Sequence, residues 1–204
     1  MAATIGVFGG SFNPVHNGHL ILAQDILEAY ELDRILFVPC GYPPHKDPAQ
    51  LAAAEHRLAM LEQVAELDPR FDLSQIELQR EGKSFTIDTL EALQADLPDR
   101  ELAFIVGSDT LPELRSWHRI NDLLHRHRIL APVRPGFDLD TLRAMDFGLE
   151  FGWKERLLAN LVQGHRVGVS SSDIRMRVAE GMSIRYLVPP EVEMYIFEHG
   201  LYNG

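Results

Sequence analysis

Four short runs in this chain are apolar almost throughout: Thr4–Phe8, Arg34–Pro39, Glu101–Val106 and Arg128–Val133. A strand with one face in water alternates apolar and polar residues, whereas a strand covered on both faces does not. The four runs therefore imply a parallel sheet sandwiched between helices, and the segments between them supply helical patterns. Leu20, Ala23, Leu27 and Tyr30 recur at helical spacing, and Leu22, Ile26 and Ala29 widen that stripe into a well-buried helix starting near Asn17. Further helices are predicted over 51–67, with Leu58, Leu61 and Val64 inward, and over Thr86–Leu97, entered through Ser84. Phe71–Leu78 alternates like a strand exposed on one face. Strand, helix, strand in the first forty residues is a βαβ unit, so the expected class is α/β with a doubly wound parallel sheet.

The later part of the chain is less regular. Short helices are expected within Phe137–Gln163, a last strand over Arg166–Val169, and helices over Asp173–Glu180 and from Pro190 to His199. No internal repeat or linker interrupts the pattern. The expectation is one domain over 1–204, with a small α-helical C-terminal part from about residue 165.

At 204 residues the chain can bury a substantial core, and 46% hydrophobic with 24% charged residues is ordinary for a globular enzyme. The formal charge of −11 argues against a nucleic-acid polymer as partner, since wrapping one calls for a basic face. Small anionic ligands are not excluded, because a few local donors hold them. The single cysteine, Cys40, cannot form an internal disulfide or anchor a cysteine metal site, and it reads as a small apolar residue at a strand end. No basic-then-apolar leader precedes the first strand, and no apolar run approaches the roughly 18 residues of a membrane span. The expectation is a cytoplasmic protein with no membrane partner.

In parallel α/β sheets, ligands sit at the carboxyl ends of the strands, where the chain switches direction. Those ends carry Gly9–His19 (GGSFNPVHNGH), the Pro-rich Gly41–Pro48 loop, Gly107–Asp109, Arg134–Gly136 and Ser170–Arg175. The unusual polar residues thus converge on one edge. A glycine pair leaves backbone amides open to close approach by phosphate, and a helix start near Asn17 would point N–H groups the same way.

Two standard nucleotide signatures are absent. Gly82-Lys83-Ser84 has the tail of a P-loop, but Glu77 stands where its first glycine belongs, and the opening glycines do not follow GxGxxG. As metal ligands His16 and His19 would need a further protein ligand, and no HExxH or cysteine cluster supplies one. As a base they lack a nucleophile in a suitable turn. A ring capping the helix start is the bland alternative; two histidines beside a diglycine turn at a strand end favour phosphate contact.

Gly10–His19 fits GxFxPxHxGH and resembles the signature of nucleotidyltransferases whose H-x-G-H loop binds the phosphates of a nucleoside triphosphate. VSSSDIR, Val169–Arg175, is similar to that superfamily's downstream element, and VPCGYPPHK, SFTIDTL, IVGSDTL, SWHRI and RPG resemble the nicotinate-mononucleotide adenylyltransferase family over nearly the whole chain. Asn13 stands where many members have Asp and Ser172 where Thr is usual; Asn keeps the acceptor oxygen and Ser the hydroxyl.

The resemblance implies a Rossmann-like fold and transfer of AMP from ATP to the 5′-phosphate of nicotinate mononucleotide. It implies catalytic roles for His16, His19 and Arg175, and ATP binding by Gly9, Gly10, Ser11, Phe12, Gly107, Asp109, Ser171 and Ser172 as well. It implies acceptor binding by His45 and Lys46 at the phosphate, by Thr86 and Trp117 around the ring, and by Arg134 at the nicotinate carboxylate. Mg²⁺ would arrive on the triphosphate, needing no dedicated protein cage. The acceptor phosphate is already largely ionised at neutral pH, its second pKa being about 6, so the histidines would hold developing charge and not act as an acid–base pair. A sister enzyme acting on phosphopantetheine and a non-catalytic nucleotide sensor are the alternatives, and no feature assigns an oligomeric state.

Overall fold

The computed structural model describes residues 3–41 and 51–203. Six strands, β1 (Thr4–Gly10), β2 (Arg34–Pro39), β3 (Phe71–Leu73), β4 (Glu101–Ile105), β5 (Arg128–Pro132) and β6 (Leu161–Val162), form one sheet in the order β3-β2-β1-β4-β5-β6. Every pairing is parallel. The chain winds outward from β1 to β3, then returns to start β4 on the other side of β1. That reversal makes the C-terminal edge between β1 and β4 the topological switch point.

The side chains of the central strands sort by parity, as a period of two requires. Ile5, Val7, Leu36, Val38, Leu102, Phe104, Ile129 and Ala131 enter one core, shared with α3 (Thr86–Asp96), α4 (Ile120–Arg126), α5 (Leu139–Ala144) and α6 (Trp153–Ala159). Phe8, Ile35, Phe37, Ala103, Ile105 and Leu130 enter the other, shared with α1 (Asn17–Ala29), α2 (Ala54–Ala65), α7 (Ser171–Ala179) and α8 (Pro190–Glu198). The C-terminal helices are therefore built into the same core as α1 and α2. Gly6 is the exception to the apolar runs: a Cβ there would lie 2.8 Å from methyls of Leu32 and Ile105 and 2.9 Å from one of Ile35. Those three side chains fill the space its own would occupy.

The doubly wound sheet and the first four buried strands agree with expectation to within a residue or two at their ends. Three stretches differ. Residues 166–169 are not a strand: the last strand is β6, and residues 163–170 cross the α1 side without regular structure. Asp25 of α1 holds that crossing, accepting from the His165 backbone N–H at 2.7 Å and contacting its ring Nδ1 at 2.7 Å, and it occupies the space beside Gly164. The strand expected over 71–78 stops at Leu73, because the chain then turns, with Leu78 and Gln79 donating to the Gln75 carbonyl. That turn buries Glu77, whose carboxylate accepts from the Thr89 hydroxyl at 2.8 Å. Ser108–Ser116 forms a 3-10 helix, a tighter coil than the turn expected after β4, with Pro112 inside it.

Candidate active site

The loop between β1 and α1 is anchored from below by Phe12. Its backbone has φ of +44°, a left-handed conformation costly for a bulky residue, and its ring is 1% exposed. Edge-to-face contacts with Phe8 (5.8 Å), Phe37 (5.8 Å) and His19 (5.1 Å) hold it there. The polar groups of the loop are tied from the side. Asn13 Oδ1 accepts from the Ala52 N–H at 3.0 Å and the Tyr202 hydroxyl at 2.9 Å. The carbonyls of Asn13 and Pro14 accept from Arg175 Nη1 (2.8 Å) and Ser171 Oγ (2.9 Å). A loop fixed from β1, the α2 entrance, α7 and the C-terminal tail is preorganised.

His16 and His19 stack at 3.7 Å between ring centroids, one turn apart at the start of α1. The His16 backbone N–H donates to His19 Nδ1 at 3.2 Å. An accepting Nδ1 carries no proton, so in neutral His19 the proton sits on Nε2, which is then a donor. His16 is 2% exposed, and its ring faces the His19 backbone N–H as the outer half of a capping box at the start of α1. Burial, reinforced by the Arg134 guanidinium, lowers its pKa to about 3, so His16 is neutral at physiological pH. At the helix start itself, the Asn17 N–H donates to the Leu187 carbonyl at 2.9 Å. This N–H, expected to be open to an anion, is spent on the chain.

The opposite wall comes from the ends of β4 and β5. Ser108 Oγ donates to the Phe137 carbonyl at 2.9 Å and accepts from the Arg134 N–H at 2.8 Å, joining the two loops. Asp109 Oδ1 fills the place of a Gly107 side chain, which is why glycine stands there. The third wall is the start of α7, where Ser170 Oγ caps the helix by accepting from the Asp173 N–H at 3.1 Å. Arg175, one turn in, also reaches Ser172 Oγ at 3.3 Å.

These walls enclose a cleft of about 560 Å³ whose lining includes Gly10, Ser11, Phe12, His16, His19, Gly107, Asp109, Arg134, Ser171, Ser172 and Arg175. Ten of the eighteen lining residues are ones for which the sequence suggested nucleotide contact, and Arg134, also in the lining, was expected near the acceptor's carboxylate. Gly9 stands outside the lining, with its missing side chain directed at the Phe104 ring. Thr86 opens α3, and Trp117 packs edge-on against Phe104 at 6.0 Å; both are outside this cleft. Their neighbours Phe85 and His118 meet at 4.4 Å between ring centroids, so the two segments adjoin. His45 and Lys46 lie outside the described residues. Ser170 lines the cleft and was not singled out, although Ser170 followed at three residues by Asp173 carries a capping signal. Among the described residues no three His, Cys, Asp or Glu side chains converge as a metal site.

A parallel 3-2-1-4-5-6 sheet with a stacked histidine pair and a second helix start facing one cleft at its switch point places the protein in the ligand-binding, Rossmann-like α/β class. Residues 7–177 match the family described as cytidylyltransferase-like. Probable nicotinate-nucleotide adenylyltransferases from Geobacillus thermodenitrificans and Trichlorobacter lovleyi are 43% and 42% identical, over 98% of this chain and 86% and 99% of theirs. The chain belongs to the nicotinate-nucleotide adenylyltransferase family within that larger group. The Plasmodium falciparum nicotinic acid mononucleotide adenylyltransferase complexed with NaAD shares its fold, with a TM-score of 0.78 at 19% identity over 98% of both chains.

Proposed function

We propose that this protein transfers AMP from ATP to the 5′-phosphate of nicotinate mononucleotide, giving deamido-NAD and pyrophosphate. The convergence of His16, His19, Arg134, Arg175 and the α7 start on one switch-point cleft carries this reading, and the family relationship supports the choice of acceptor. A phosphate oxygen of the mononucleotide attacks the α-phosphorus of ATP in line, and the bond to the bridging oxygen of pyrophosphate breaks. The acceptor is already ionised, so no base is needed and the protein's contribution is alignment and charge stabilisation.

His19 Nε2–H donates to the oxygens on which charge develops. His16, neutral, contributes as a dipolar donor next to it. Ser171, Ser172 and Arg175 hold the β- and γ-phosphates, and Arg134 adds positive charge on the facing wall. Gly107 and Asp109 take the adenosine or its ribose hydroxyls. Thr86 and Trp117 form the nicotinate pocket, with the acceptor phosphate assigned to His45 and Lys46. Magnesium enters as MgATP, coordinated by phosphate oxygens, a form that suits a cleft whose lining offers one carboxylate, Asp109. Among the described residues no helix is long and apolar enough to cross a membrane, and together with the small anionic substrates this favours a cytoplasmic setting.

The test is pyrophosphate release by the purified protein with MgATP and, in separate reactions, nicotinate mononucleotide, nicotinamide mononucleotide and phosphopantetheine. Release is expected with nicotinate mononucleotide. Turnover with phosphopantetheine alone, or with none of the three, overturns the assignment.

A further inference from the structure

Arg57, on the inner side of α2, is the largest fully buried side chain, 2% exposed, and no carboxylate pairs with it among the described residues. A buried cation without a counter-ion is costly unless its donors are satisfied. Here backbone carbonyls accept from its Nε and Nη1, and the choice of carbonyls is informative. Nη1 donates to the Ser11 carbonyl at 3.0 Å and the Cys40 carbonyl at 2.8 Å, and Nε donates to the Ala52 carbonyl at 3.1 Å. Ser11 belongs to the loop that lines the nucleotide cleft. Cys40 follows β2, and Ala52 precedes α2; in sequence they stand on either side of the stretch assigned above to the acceptor phosphate.

Two backbone contacts run parallel to these. The Cys40 N–H donates to the Gly10 carbonyl at 2.8 Å, and the Ala52 N–H donates to Asn13 Oδ1 at 3.0 Å. One planar guanidinium thus sits where the ATP loop, the end of β2 and the entrance to α2 meet. A planar fork fixes the mutual position of three carbonyls, which a flexible ammonium does not.

We propose that Arg57 is a positioning residue for the transfer reaction: it sets the nucleotide-binding loop in register with the two chain segments flanking the acceptor side. It touches neither substrate. Its effect is on the relative placement of the two reactants, on which an in-line displacement depends steeply. This rests on the adenylyl-transfer assignment above.

The experiment compares wild type with Arg57→Lys and Arg57→Met. Each is followed by steady-state kinetics with MgATP and nicotinate mononucleotide, urea unfolding, and amide hydrogen exchange of the substrate-free protein. For Arg57→Met the expected result is a fall in kcat of about 100-fold with smaller changes in either KM. Loss of exchange protection should be confined to 10–14, 40–41 and 51–53. Arg57→Lys, which keeps the charge and fits the site more gently, should fold and recover part of kcat. Wild-type kcat in both variants, full recovery by Lys, or a rate loss matched by loss of protection across the whole sheet each overturns the proposal. If Arg57→Met does not fold, a wild-type kcat and wild-type exchange pattern in Arg57→Lys overturn it alone. A wild-type protein inactive toward nicotinate mononucleotide would instead refute the assigned reaction, and the exchange pattern would still report on Arg57.

Discussion

His16 caps α1 and His19 lies in its first turn, and they differ in burial. His19 is half-buried at the cleft, and its Nδ1 accepts from the His16 backbone N–H, so in the neutral ring the proton sits on Nε2, the group proposed above to donate to the nucleotide. Removing one such preorganised donor costs about 100-fold to 1,000-fold in turnover. His19→Ala should therefore lose kcat by that factor, with an unfolding midpoint close to wild type; a variant retaining wild-type kcat would remove His19 from the chemistry. The sequence alone casts both rings as holders of charge. Burial, reinforced by Arg134, lowers the pKa of His16 to about 3, so we propose that it holds this developing charge through a neutral N–H and not as an imidazolium. Solution NMR of the His16 ring in the substrate-free protein should find no protonation step between pH 5 and pH 8.

At the scale of elements, the sheet was readable because strands buried on both faces leave uninterrupted apolar runs, and each such run is now a strand. The β1–α1 loop was readable because its glycines, proline and histidines have few other uses in such a spacing. What was not readable depends on partners remote in the chain. The spent Asn17 amide needs Leu187, the residue 163–170 crossing needs Asp25, and the Arg57 network needs carbonyls from three loops. None leaves a periodic signature.

Gly6 is the element-scale point of least tolerance. Gly6→Val in β1 would drive a side chain into Leu32, Ile35 and Ile105, and overpacking of this kind costs about 1–3 kcal/mol. Urea unfolding should show that loss with little change in KM. Ser170→Ala removes the α7 cap, typically about 1 kcal/mol, and also loosens a helix start that faces the cleft. Its unfolding midpoint should fall, and its KM for ATP should rise more than its kcat falls. An unchanged KM would confine Ser170 to a structural role.

For the molecule as a whole, placing a neutral imidazole in the interior links catalysis to stability against acid. His16 takes up a proton at pH 6.5 when unfolded, but only near pH 3 when folded. Between these values the unfolded state binds more protons, so stability falls as pH falls, and the contribution present above pH 6.5 is progressively lost. Each pH unit in that window corresponds to about 1.4 kcal/mol for one fully buried group, so about 2 kcal/mol should disappear between about pH 7.5 and about pH 5. His127, also lowered chiefly by burial, acts in the same direction. Glu77 acts oppositely, because burial raises its pKa and favours the folded state as it protonates. The lowered carboxylates Asp68, Glu91, Asp122 and Asp138 have unfolded-chain midpoints below about pH 5, outside the measured interval of about pH 7.5 to about pH 5. Comparing wild type with His16→Asn isolates the histidine, since the other groups are common to both. The unfolding free energy of the wild type, measured in urea at the two pH values, should drop by about 2 kcal/mol more than that of the variant. Equal drops would mean that His16 titrates in the folded protein as it does in the unfolded chain, and would remove the lowered pKa on which its neutral role rests.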